Sequence, residues 1–219
     1  MIAVAGGKGG SGKTTTTLGL ARALTRRGAP VVAADADWDL PNLAELTVET
    51  GGTVDGTVVD ATRAREETSP DRSAPTVLAA PTDAGPVDAS ATLEALGEAV
   101  PADAPTLLDC PAGASPDAAA PLRAADRSLL VTPLRRSALR DAAKTAAIAR
   151  RLDSPPLGVV AVRAESVPDP VADLLGCPVL GRVPPAPPVP LSEPAVRSAY
   201  DGLARRLTNE YGARRWRVA

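Results

Sequence analysis

Apolar residues fall in short runs separated by longer stretches of helical periodicity. Runs such as Ile2-Ala3-Val4-Ala5, Val31-Val32-Ala33-Ala34 and Leu129-Leu130-Val131 have no polar alternation, which is the mark of strands buried on both faces. The pattern predicts strands at 2–5, 31–35, 76–80, 105–109, 128–132, 157–162 and 178–181. Leu18, Leu20, Ala21 and Leu24 recur at helical spacing, and Gly28 offers a stop. Helices are predicted at 13–28, 53–61, 90–99, 116–124, 136–152, 168–175 and 193–212. Strand and helix alternate throughout, so the expected fold is α/β: a doubly wound, mostly parallel sheet of about seven strands with helices on both faces. Arg63–Pro75 is polar and reads as an exposed loop, and Arg182–Pro194, with six prolines, as an extended stiff one.

At 219 residues the chain fits one domain spanning 1–219. Only four residues are aromatic and none is Phe, so the core must be built from Ala, Val and Leu. There is no histidine, and Cys110 and Cys177 are the only cysteines. That composition argues against a disulfide scaffold, a His/Cys zinc site and a histidine-based triad. The first strand begins at once, with no signal peptide, and no apolar run approaches the ~20 residues of a transmembrane helix. The expectation is a cytoplasmic protein. Net charge is −2, but Tyr200–Ala219 carries five arginines against Asp201 and Glu210.

The chain has three lysines against 21 arginines, and two of the three, Lys8 and Lys13, sit in one glycine-rich loop. Lysine is a compact point charge where arginine is a planar fork, so both read as chemical parts. Gly7 to Thr14 fits G-x-x-x-x-G-K-[ST] between a strand and a helix. In that setting Gly7, Gly9, Gly10, Ser11, Gly12 and Thr15 would line a phosphate cradle of backbone N–H groups at a helix N-terminus. Lys13 would reach the β/γ-phosphates, and the Thr14 hydroxyl would hold Mg²⁺.

Three carboxylates fall at predicted strand ends: Asp35 and Asp37 after the second strand, and Asp109 after the fourth. An apolar strand ending in Asp beside a phosphate loop suits a Mg²⁺ ligand. Turn and cap aspartates are common at the same places.

The stretch Lys8-Gly9-Gly10-Ser11-Gly12-Lys13-Thr14-Thr15 resembles the deviant Walker A motif of the MinD/ParA family of P-loop ATPases. Asp35-Ala36-Asp37 with Leu40-Pro41-Asn42-Leu43 resembles its switch I, and Asp109-Cys110-Pro111-Ala112-Gly113 its Walker B and switch II, nearer to MinD than to plasmid ParA proteins. Thr132-Pro133 leading to Ser137-Ala138-Leu139-Arg140-Asp141-Ala142 is similar to a further family stretch. The resemblance implies an ATP- and Mg²⁺-dependent ATPase whose homodimer sandwiches two ATP molecules. It implies that Lys8 reaches the partner's phosphates, that Asp37 positions the attacking water, and that Asp35 and Asp109 serve the metal with Thr14. It further implies that the Gly113 backbone senses the γ-phosphate. Two positions depart from the family pattern. Val162 stands before Arg163 where the family has Asn against adenine, and Leu134-Arg135-Arg136 lacks the expected glutamate.

Family members act in spatial positioning, at the division site or in chromosome and cargo partitioning, with an activating protein partner. In the segment 200–219, Tyr200, Leu203, Leu207 and Tyr211 form a stripe, and Arg205, Arg206, Arg214 and Arg215 lie off it, ahead of Trp216-Arg217-Val218. Such a segment either anchors peripherally to a membrane, touches DNA, or packs its stripe on the domain. Two other functions stay open: a metal-cluster or cofactor-insertion ATPase of the same fold, and a nucleotide-binding module with little turnover.

Overall fold

A computed structural model describes residues 1–63, 70, 72–81, 87–113, 116–187 and 190–211. The strands are β1 (Ile2–Ala5), β2 (Val32–Asp35), β3 (Thr76–Leu78), β4 (Thr106–Asp109), β5 (Arg127–Pro133), β6 (Pro156–Val162) and β7 (Val179–Val183). They form one seven-stranded sheet in the order β3-β2-β4-β1-β5-β6-β7, and every pairing is parallel. The helices are α1 (Lys13–Thr25), α2 (Leu43–Glu49), α3 (Val58–Arg63), α4 (Ala89–Ala99), α5 (Pro116–Ala124), α6 (Arg136–Arg151), α7 (Pro170–Leu175) and α8 (Pro194–Tyr211).

Strand residues divide between two faces, as the pleat requires. Ile2, Val4, Leu107, Leu129 and Val131 pack with α1 and α8 residues such as Leu20, Leu24, Leu203 and Leu207. Ala3, Ala5 and Leu108 face Leu93 and Leu96 of α4 on the other side. Further along that side, Leu130 and Val159 meet Ala142 and Ala146 of α6. Small alanines on strands and helices let the layers approach without aromatic filling.

The structure corrects several sequence boundaries. Helix α1 ends at Thr25, and α7 starts at Pro170. The helix expected at 53–61 starts only at Val58, and α2, over Leu43–Glu49, was not foreseen. It is only seven residues long, too short for a helical period to stand out from the sequence. Arg182–Pro194 begins extended, as the end of β7, but is not extended throughout, because a 3₁₀ turn spans Pro190–Ser192 and α8 begins at Pro194.

Register sets the site. Asp35 pairs with Asp109 across β2 and β4, and Val4 of β1 pairs with Asp109. The loop after β1 therefore lies beside both carboxylates at the carboxyl edge of the sheet, where ligands bind in open α/β folds.

Candidate phosphate and nucleotide site

Residues 6–12 fold over the N-terminus of α1. Gly12 caps the helix at φ +92°, a left-handed conformation that glycine adopts without strain, and its carbonyl accepts from Thr16 N–H at 2.9 Å. Gly7 packs so closely on α6 that a Cβ there would sit 2.3 Å from Asp141 Cβ. A Cβ on Gly9 or Gly10 would meet nothing within 4 Å among the described residues, which leave that side of the loop open.

Lys13 is buried, and so is Ser11, whose Oγ has no hydrogen-bond partner among the described residues. A buried, unpaired hydroxyl costs free energy unless a ligand satisfies it. Together with the lysine, the open loop and the helix N-terminus, it fits a phosphate group.

The loop borders a groove of about 620 Å³, lined on one side by Gly9, Gly10, Gly12, Lys13, Thr14 and Thr15. The opposite wall includes Asp37, Leu40, Asn42, Glu45, Leu46 and Glu49. Thr14 Oγ1 donates to Asn42 Oδ1 at 2.5 Å, and Thr17 Oγ1 donates to Asp109 Oδ1 at 3.2 Å. Burial pushes the Asp109 carboxyl up to about 7, with Asp35 adding to the rise and the Thr14 hydroxyl and Lys13 ammonium opposing it. Asp35 is likewise raised to about 6 by burial. A cation beside Asp109 would favour its ionised form and offset that burial. Among the described residues, no three His, Cys, Asp or Glu side chains group as metal ligands. A Mg²⁺ ion here would lean on the Thr14 hydroxyl, Asp109, water and the nucleotide's own phosphates, its usual habit.

Asp35 has a further task. Its Oδ1 accepts from Asp37 N–H at 3.0 Å, and its Oδ2 from Asn42 and Leu43 N–H at 3.1 and 3.0 Å. Trp38 Nε1 donates to the Asp35 carbonyl at 3.1 Å. One carboxylate thus ties down loop 36–42 and the start of α2. Sequence reading placed Asp35 near the metal and Asn42 in the same motif, but missed this organising role and the part of the groove wall formed by Glu45 and Glu49. The missing signal was α2 itself.

Of the remaining predicted residues, Asp37 and Arg163 line the same groove. Asp37 Oδ1 accepts from Leu40 N–H at 3.2 Å. Gly113, at φ +88°, donates N–H to the Gly6 carbonyl at 3.4 Å, so the loop after β4 touches the loop after β1. Arg163, at φ +54°, reaches the Gly10 carbonyl at 2.7 Å. Lys8 does not line the groove. Its side chain is 53% exposed and pairs with Asp141 Oδ2 on α6 at 3.5 Å, a carboxylate shared with Lys144.

Residues 2–192 match the CobQ/CobB/MinD/ParA nucleotide binding domain. The chain belongs to that family. An uncharacterized ATP-binding protein of Methanocaldococcus jannaschii is 30% identical, over 85% of this chain and 74% of that protein. The septum site-determining protein MinD of Synechocystis sp. is 28% identical, over 96% of this chain and 90% of that protein. The structure of MinD from Pyrococcus horikoshii complexed with Mg-ADP superposes with a TM-score of 0.79 at 25% identity, covering 97% of each chain. The MinD/ParA resemblance read from the motifs and the expected fold class are therefore both borne out.

The other elements of the sequence reading separate clearly. Cys110 and Cys177 are both buried free thiols in different apolar clusters, and burial raises both. Tyr200, Leu203 and Leu207 are buried against the domain, so that stripe is part of the core. Arg214, Arg215, Trp216, Arg217 and Val218, and the Tyr211 side chain, lie outside the described residues. Among the described residues no helix is long and apolar enough to cross a membrane.

Proposed function

We propose that this chain binds and hydrolyses Mg-ATP as a homodimer and works as a nucleotide-dependent switch in spatial positioning. The observation that carries the reading is the separation of the two loop lysines. Lys13 is buried at the groove floor, while Lys8 is exposed and held on α6, outside its own groove. A cation so placed acts on phosphate most directly when a second copy brings its groove to it. Hydrolysis then waits on dimerisation, with the partner's lysine doing what an arginine finger does elsewhere.

Within one groove, Lys13 and the loop amides hold the phosphates. Asp37 is the group positioned to orient a water. Mg²⁺, when bound, neutralises charge on the phosphates. Gly113, touching Gly6, lets the loop after β4 register what the phosphate loop holds. The Synechocystis relative is named as septum site-determining, which supports a positioning role.

The test is phosphate release from Mg-ATP as a function of protein concentration, with Lys8→Ala alongside. Turnover per subunit should rise with concentration and fall at least about a hundredfold in the variant. Turnover that is independent of concentration and indifferent to Lys8→Ala would reject the dimeric mechanism.

A further inference from the structure

Three arginines meet around one cavity between α1 and α8. Its volume is about 220 Å³, and it is lined by Gly19 and Arg22 of α1, Arg26 just after it, Leu191 of the 3₁₀ turn, and Arg197 and Tyr200 of α8. It shares no lining residue with the phosphate groove. A Cβ on Gly19 would come 2.5 Å from the Tyr200 ring and 3.0 Å from Leu191 Cδ2, so these two side chains close in over the bare glycine as an apolar wall.

The positive charges are only partly matched. Arg26 is paired with Asp201, whose Oδ1 accepts from Nε at 3.0 Å and from Nη2 at 2.6 Å. Arg22 is half-buried and has no carboxylate partner among the described residues. Its Nη2 donates to Thr50 at the end of α2, to the hydroxyl at 2.7 Å and the carbonyl at 3.4 Å, which leaves Nε and Nη1 to spare. Burial, and then the neighbouring Arg26, lower the Arg22 guanidinium from its ordinary range. Arg197 is exposed and makes no ion pair among the described residues. It stands in the first turn of α8, which holds no acidic residue, and the helix dipole disfavours a cation there. Three guanidiniums against one carboxylate leave two positive charges at the cavity. A partly buried cation is ordinarily paired, and like charges held together repel.

We propose that this cavity binds a phosphate group, independently of the phosphate groove. A phosphate group carries about −1.5 to −2 charge near neutral pH and three acceptor oxygens, which match two unpaired guanidinium forks. A single carboxylate would leave half of that charge uncompensated. At about 220 Å³ the cavity is smaller than the roughly 300–1,000 Å³ pockets that enclose whole ligands. It therefore holds the phosphate itself, either as the free ion or as the end of a lipid headgroup.

The experiment is calorimetric titration of inorganic phosphate at pH 8 into wild type, Arg197→Gln and Lys13→Ala. Lys13 belongs to the groove and Arg197 to this cavity, so the two variants separate the sites. Phosphate binding should survive Lys13→Ala and weaken at least about tenfold in Arg197→Gln. Acetate should bind wild type at least about tenfold more weakly than phosphate does; acetate binding equally well overturns the inference. Should Lys13→Ala not fold, the wild-type titration must contain a component that Arg197→Gln removes. A second arm measures sedimentation with phosphatidic acid vesicles. Vesicle binding that falls at least about tenfold in Arg197→Gln, without a matching loss for the free ion, assigns the phosphate to a lipid headgroup. The inference is overturned when Arg197→Gln changes neither phosphate nor vesicle binding, and any phosphate binding then belongs to the groove.

Discussion

Asp109 shows how one buried residue ties stability to function. Its carboxyl, pushed up to about 7 by burial, keeps its proton in the folded chain over a range where the unfolded chain, near 4, has lost it. The folded state therefore binds more protons between about pH 4 and 7, and this group's penalty grows as pH rises through that window. Below about pH 4 the penalty is absent, and above about 7 it is complete. Asp109→Asn should accordingly stabilise the nucleotide-free protein at pH 8, by on the order of a few kcal/mol, and the gain should vanish toward pH 4. Denaturant unfolding of both forms across that range checks it. The same variant should lose most Mg²⁺-dependent nucleotide affinity, since the acid that burdens the empty protein is the one a cation would relieve. Asp35 differs. Its oxygens are already shared among three amides, so Asp35→Ala should loosen loop 36–42, read as increased hydrogen exchange at Asp37, Asn42 and Leu43.

Two elements meet at the tightest helix contact near the site. Gly19 of α1 lies under the ring of Tyr200 of α8, where a Cβ would come 2.5 Å from ring carbons. In a chain with so few aromatics, this ring fills the gap between the two helices and forms one wall of a cavity of about 320 Å³ beside the groove. Gly19→Ala forces the ring out, at a cost of roughly 1–3 kcal/mol by overpacking. Tyr200→Phe keeps the ring and removes only the bond to Thr16, about 1 kcal/mol. Thermal unfolding should rank wild type above Tyr200→Phe and Gly19→Ala lowest. An alanine at 19 without effect would show that α1 and α8 are free to separate.

At the scale of the whole molecule, a single parallel sheet carries the apolar clusters on its two faces, and β1 and β5 contribute side chains to both faces. Neither face can be lost without exposing the other side of the same strands. Unfolding in denaturant should be a single transition, with far-UV circular dichroism and tryptophan fluorescence coincident. Two separated transitions would reject the one-domain reading. The stripe of Tyr200, Leu203 and Leu207 is spent inside this core, so any contact with membrane or DNA made by this end must use exposed residues such as Arg205 and Arg206 or the residues beyond α8. Vesicle and DNA binding by the full chain, compared with one ending at Tyr211, addresses that point.

The alternation of apolar runs with helical periodicity was enough to read an α/β sheet, because parallel strands buried on both faces must be continuously apolar. The phosphate loop and the three strand-end aspartates were legible for the same reason: their chemistry depends on local order along the chain. Helix α2 was not, since seven residues are too few for a helical period to stand out, and with it went Glu45 and Glu49 of the groove wall. Long-range placement was also beyond reach of the sequence. Asp109 acquires its raised carboxyl only because β4 lies between β1 and β2. Lys8 pairs outside its own groove with Asp141 on α6, a residue distant in sequence. Periodicity and motif spacing are properties of neighbours along the chain, whereas strand order, burial and ion pairing come from the packing of distant segments, and only the tertiary structure decides those.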